Sequence, residues 1–208
     1  MTESNAVPGF LPSHNGLHFA NQFEKGPTVK LGFLDPRVVG IGDASSGLCG
    51  GMCWFVRERF AAGVAIPGDR VAPPNGSPLF QAIVRRQVMS LDWLRGPLRF
   101  WLASGMGAGP AAQRTRESEW PKLRAAIDEG RLPMLGLIRH VGWNPFGLTQ
   151  DHQVLAYAYA TDGPAGATTI RVYDPNWPDR DDITLTMDAF GLRQNSGEPL
   201  MGFFVQGP

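Results

Sequence analysis

The chain reads as an α+β protein, with helices first and a sheet after them. Before residue 131 the apolar residues recur at helical spacing. After residue 132 they form short continuous or alternating runs, as strands do. The 208 residues include 26 glycines and 18 prolines, about one residue in five. That density denies the chain long uninterrupted helices, while a hydrophobic fraction of 43% supplies a core and excludes disorder. A single domain is expected over 1–208, with an irregular arm at 1–40, a mainly helical part at 41–131 and a mainly β part at 132–208.

Residues 1–47 carry Leu17, Phe19 and Phe23, then Val29, Leu31 and Phe33, punctuated by Pro8, Pro12, Pro27 and Pro36. Short extended pieces wrapping the domain are expected. The first helix is predicted from Leu48 or Cys49 to about Ala62. Cys49, Met52, Cys53, Val56 and Phe60 form one apolar stripe, Arg57, Glu58 and Arg59 face water, and Gly63 ends it. Ser77 caps a second helix with Pro78 at its first position. Its buried face is Phe80, Ile83, Val84, Val88 and Leu91. A third is predicted from Pro97 to Gly105, then a flexible link GMGAGPAAQ. A fourth runs from Ser118 to Glu129, with Trp120, Leu123 and Ile127 inward and Gly130 as its stop.

Five strands follow. They are 132–141, a buried apolar run, then 152–160, 169–174, 183–187 and 200–206. The second places His152, Val154, Ala156 and Ala158 on one face and Gln153, Leu155, Tyr157 and Tyr159 on the other.

Lys plus Arg equals Asp plus Glu at 19 each. A nucleic-acid binder would carry a basic excess, so no nucleic-acid partner is expected. No apolar run reaches the roughly 18 residues a membrane helix needs, so no membrane partner is expected. No secretory signal is visible in MTESNAVPGFLPSHNG, and a cytoplasmic protein is expected. The two cysteines, Cys49 and Cys53, make no disulfide scaffold. A zinc site from His14, His18, Cys49 and Cys53 is conceivable but disfavoured, since both histidines lie in a glycine-containing arm expected to face solvent. No metal and no cofactor are expected. Asp179, Asp181 and Asp182 read as a solvated turn whose spacing does not fit a calcium loop.

What the layout assembles is a thiol at a helix start, a histidine at a strand start and an acid at the end of the next strand. A helix N-terminus favours a thiolate. An imidazole beside it takes the proton and later delivers it to the leaving group. A third group fixes the imidazole tautomer. Antiparallel neighbours bring the start of one strand to the end of the next, which places His152 near Asp174. His140 is a rival base, although no Asp-Pro turn follows it at one strand's remove. Cys49 opens the helix; Cys53 lies one turn inside, where a buried thiol behaves as an inert apolar group. Position favours Cys49, with Cys53 as the alternate.

These residues resemble the papain-like cysteine peptidases, and among them the bacterial branch that includes the bacteriocin-leader-processing peptidases. The resemblance rests on Cys49-Gly50-Gly51, on Asp151-His152-Gln153-Val154-Leu155-Ala156-Tyr157 and on Val172-Tyr173-Asp174-Pro175-Asn176. It covers roughly residues 43–190 and leaves the N-terminal arm unexplained. It implies a helical lobe, opening with the Cys helix, packed on an antiparallel sheet. It also implies a Cys49–His152–Asp174 triad, with Asn176 as the alternate orienter. The family usually carries a glutamine six residues before the nucleophile; here that position is Asp43, and counted from Cys53 it is Gly47. An ionised Asp repels an oxyanion. Either Ser45, Ser46, Asn21 or Gln22 substitutes, or Asp43 is held protonated, or activity is weak or lost.

The function implied is a cysteine hydrolase acting on a peptide or protein substrate through a thioester. Acyl transfer and glutamine deamidation use the same triad. A non-catalytic peptide-binding module on the same fold is the second class, with Trp54, Trp143 and Trp177 as candidate cleft walls. Gly50 and Gly51 are expected to let a substrate approach the backbone beside Cys49.

Overall fold

A computed structural model describes residues 2–24, 47–90, 107–139, 152–162 and 166–206. The architecture is α+β, with helices packed on one antiparallel sheet. In chain order the elements are β1 (Glu3–Ala6), α1 (Pro12–Asn15), α2 (Cys49–Ala61), α3 (Pro78–Ser90), α4 (Ala108–Arg114), a π-helical turn (Thr115–Glu119) and α5 (Trp120–Asp128). Strands β2 (Met134–Ile138), β3 (His152–Thr161), β4 (Thr168–Tyr173), β5 (Thr184–Asp188), β6 (Gly191–Gln194) and β7 (Gly202–Val205) follow.

The sheet runs β6-β5-β4-β3-β2-β7. β3 is ten residues long and serves two partners on one side: β2 pairs His152 to Leu155, and β1 pairs Ala158 to Thr161. Between them, Tyr157 is an extra residue in a bulge against β4, and its carbonyl accepts from the Val7 N–H at 2.8 Å. Residues 152–159 are all buried, so the expected alternation does not separate a dry face from a wet one.

The first helix packs as the stripe predicts: Met52, Cys53 and Val56 are fully buried, and Phe55 joins them. The Phe80 N–H donates to Ser77 Oγ at 3.3 Å, the cap expected for α3. Gly130, at φ +74, ends α5, where the Arg131 N–H returns to the Ala126 carbonyl. Buried side chains from the N-terminal segment, α2, α3, α5 and the sheet join in one cluster.

Several expectations are corrected. The N-terminal segment is not an irregular arm: Glu3–Ala6 is a strand, Pro12–Asn15 is a helical turn, and Leu17, Phe19 and Phe23 are core residues. Residues 108–113 are not a flexible link but the body of α4. Pro110 falls in its first turn, where the missing N–H costs nothing. The helix expected from Ser118 begins ten residues earlier, and Ser118 sits inside the π turn. That turn is stabilised by Thr115 Oγ1, which donates to the Ala111 carbonyl and accepts from the Phe203 N–H at 2.9 Å. Strand β6, a four-residue edge strand, was not anticipated. The predicted third helix, and Val29, Leu31 and Phe33, lie outside the described residues.

Candidate active site

Cys49 is the first residue of α2, and His152 is the first residue of β3. Asp174 follows the last residue of β4. β3 and β4 are antiparallel and pair Leu155 with Tyr173, so the start of one strand lies beside the end of the other. Helix α2 packs across β3 and delivers Cys49 to the same end of the sheet.

His152 Nε2 lies 2.6 Å from Asp174 Oδ1. His152 is 4% exposed and Asp174 is fully buried. Nδ1 is therefore the ring nitrogen left for the thiol. Burial opposes a charge on His152, but the Asp174 carboxylate and its hydrogen bond, with Cys49 beyond them, raise its pKa to about 9. Burial likewise pushes the Cys49 thiol up. The hydrogen bond and positive charge of His152, with backbone N–H groups of Gln153 and Gly50, outweigh it and hold the thiol below its ordinary value. The two shifts describe one coupled thiolate–imidazolium pair.

Cys53 differs in each respect. It is fully buried, and its Sγ donates to the Gln153 carbonyl at 3.4 Å. Burial pushes its thiol well above the ordinary value, and the negative charges of Cys49 and Asp174 add to that.

Every oxygen of the Asp174 carboxylate is engaged. Oδ1 also accepts from the Asn176 N–H at 2.9 Å, and Oδ2 accepts from Gln194 Nε2 at 2.7 Å. Arg139 Nη2 stands 3.9 Å from Oδ2 and donates to Gln194 Oε1 at 3.1 Å. Burial opposes the charge on Asp174, but His152 and these donors hold its pKa below the usual carboxylate range. Gln194 and Arg139 were missed in the sequence, where neither carries a local signal. The hydrogen bond of Asn176 to Asp174 comes from its backbone, and its side chain accepts from Asn21 instead.

The remaining candidates divide. Asn21 reaches the site: its Oδ1 accepts from the Leu48 N–H at 2.6 Å and its Nδ2 donates to Asn176 Oδ1 at 3.2 Å. Gln22 is exposed. Asp43, Ser45, Ser46, Trp143 and the rival base His140 lie outside the described residues.

Gly50 and Gly51 are buried. A Cβ on Gly51 would stand 2.3 Å from the Ile83 carbonyl oxygen, and the Gly51 N–H donates to Gln87 Oε1 at 2.6 Å. Gly51 therefore serves the close approach of α3, not that of a substrate. Trp54 lies against the core under Arg57, with Nε1 donating to Glu58. Trp177 also packs on the core, and its Nε1 donates to Glu198 at 3.1 Å.

The Asp179–Asp182 turn is more than a solvated loop. Asp179 Oδ1 meets His18 Nδ1 at 2.5 Å, and Asp181 accepts from both the N–H and the Oγ of Ser13. His18 is thus partly buried against an acid, whereas His14 is exposed. Among the described residues no group of three or more His, Cys, Asp or Glu could hold a metal, and no helix is long and apolar enough to cross a membrane.

A cavity of about 600 Å³ opens elsewhere, between the C-terminal halves of α2 and α5, and contains none of the triad. Its lining carries three cations, Arg57, Lys122 and Arg131, and two of them are paired: Lys122 with Glu119 and Arg131 with Glu129. Comparison of the chain with protein-family models, curated proteins and solved structures returns no match.

Proposed function

We propose that the protein is a cysteine hydrolase of papain-like architecture that cleaves an amide bond in a peptide or protein through a Cys49 thioester. The observation that carries this reading is the buried His152–Asp174 hydrogen bond, closed behind by Gln194, with Cys49 placed where His152 lowers its thiol. The Cys49 thiolate attacks the amide carbonyl carbon, and the C=O electron pair moves onto oxygen. His152 gives its proton to the leaving nitrogen as the C–N bond breaks. Water, deprotonated by the now neutral imidazole, then attacks the thioester and releases the acid and the thiolate. Asp174 holds the imidazole in place and offsets its charge.

The first turn of α2 supports an oxyanion site. The Leu48 N–H is taken by Asn21, the Gly51 N–H by Gln87 and the Met52 N–H by the Leu48 carbonyl. The Gly50 N–H faces the thiol, and among the described residues the N–H of Cys49 has no acceptor, which leaves it as the donor beside the nucleophile at the positive end of the helix. The contact of His152 with Cys49 favours this reading over a binding module, for which the pair has no purpose.

The test has two parts. Substoichiometric iodoacetamide at neutral pH should add one adduct, on Cys49, by intact mass and peptide mapping. Hydrolysis of a mixed peptide and glutamine-amide panel should vanish in Cys49→Ala and persist in Cys53→Ala. Equal, sluggish labelling of both thiols would overturn the proposal.

A further inference from the structure

We propose that Asn21 is a positioning residue for the triad, a side chain of the N-terminal segment that pins the start of the Cys49 helix to the turn bearing Asp174. This rests on the reading of Cys49, His152 and Asp174 as a triad, and deepens it.

The thiol and the acid come from parts of the chain more than a hundred residues apart. Among the described residues, no hydrogen bond joins 47–61 directly to 174–177. Asn21 bridges them with three. Its Oδ1 accepts from the Leu48 N–H at 2.6 Å, its Nδ2 donates to Asn176 Oδ1 at 3.2 Å, and its backbone N–H donates to the Pro175 carbonyl at 2.9 Å. The role requires an acceptor and a donor on one short planar group. Asp lacks the donor, Ala lacks both, and Gln is a methylene too long.

The cradle is shaped to that amide. Gly47 adopts φ +89, and a Cβ there would lie 2.6 Å from Asn21 Nδ2. Any side chain at 47 would be strained and would also displace the amide. Asn21 itself is anchored. Phe19 and Phe23, buried on either side, pack edge to face at 6.2 Å. Further back, His18 is held by Asp179, Ser13 by Asp181, and β1 by β3. The segment before residue 24 is thus a structural strap that carries the joint between the two halves of the site. Displacement of reacting groups by about 1 Å can cost on the order of 10²-fold in rate, so a joint of this kind has kinetic consequences.

The experiment uses the full chain. Iodoacetamide alkylation of Cys49 is followed against pH in wild type, Asn21→Ala, Asn176→Ala and Gly47→Ala, with thermal unfolding as the control for folding. In Asn21→Ala the midpoint of the alkylation profile should rise toward that of an ordinary thiol, and the rate at pH 6.5 should fall about tenfold or more. Gly47→Ala should reproduce this shift with Asn21 intact. Asn176→Ala, which removes only the Nδ2 partner at the far end, should give a smaller shift in the same direction and keeps the test alive if Asn21→Ala fails to fold. A wild-type Cys49 no more reactive than a free thiol would overturn the triad reading and this proposal with it. A wild-type Cys49 reactive at low pH, with folded Asn21→Ala or Asn176→Ala variants indistinguishable from it, would overturn the role of Asn21 alone.

Discussion

His152 Nε2 and Asp174 Oδ1 are 2.6 Å apart in a region closed to solvent, at the ends of two paired strands. Such a buried pair is stable because both carboxylate oxygens accept hydrogen bonds. The carboxylate meets His152, the Asn176 N–H and Gln194, with Arg139 behind them. A buried carboxylate short of partners would be protonated instead.

Replacing Asp174 by Asn keeps the shape and removes the charge. It also presents an amide where the imidazole needs an acceptor. Hydrolysis should fall by as much as on the order of 10⁴-fold, with little change in KM, measured in steady-state kinetics on the best peptide of the panel. Retention of more than a tenth of the rate would show that Asp174 does not orient His152.

Raising the pH should remove activity as His152 loses the proton it must deliver. Its pKa is raised to about 9, so the alkaline limb is expected near pH 9 and not near the ordinary 6.5. The sign for stability is the same. A raised histidine contributes fully below its unfolded value, and that contribution is lost as pH rises through the folded one. The lowered thiol of Cys49 contributes with the opposite sign over the same range, so thermal unfolding from pH 6 to 10 should show this decline in Cys49→Ala and a flatter profile in wild type.

Gln194→Leu leaves Asp174 Oδ2 and Arg139 without the amide between them. A loss of about 1–3 kcal/mol is expected at pH 7 by chemical denaturation. Asp174 has a lowered pKa, so its stabilisation is present above the unfolded value and is lost as pH falls through the folded one. The deficit of the variant should shrink toward acid pH, and the acid limb of activity should move to higher pH. An unchanged acid limb would mean that Gln194 is packing material only.

Gly51→Ala places a methyl group against the Ile83 carbonyl, which cannot rotate away. Helices α2 and α3 must separate, at a cost of about 1–3 kcal/mol. The expected result is a lower Tm whether or not substrate is present. An unchanged Tm with impaired substrate binding would restore Gly51 to the cleft.

Local pattern was enough for the α+β order, the limits of α2, the Ser77 cap and the Gly130 stop, because each depends on residues within one or two turns of itself. It was also enough to bring His152 beside Asp174, since antiparallel neighbours joined by a short turn must meet end to start. It could not show that residues 2–24 build part of the site. Asn21 is 27 residues from Leu48 and 155 from Asn176, and nothing in the periodicity of one segment reports on the others. Gln194 sits on an edge strand too short to show alternation. Gly51 looked like an opening for substrate because a missing side chain reads the same whichever neighbour fills the space. The roles of Asn21, Gln194 and Gly51 emerge from packing and hydrogen-bond satisfaction between distant segments, which exist only once the chain has closed on itself.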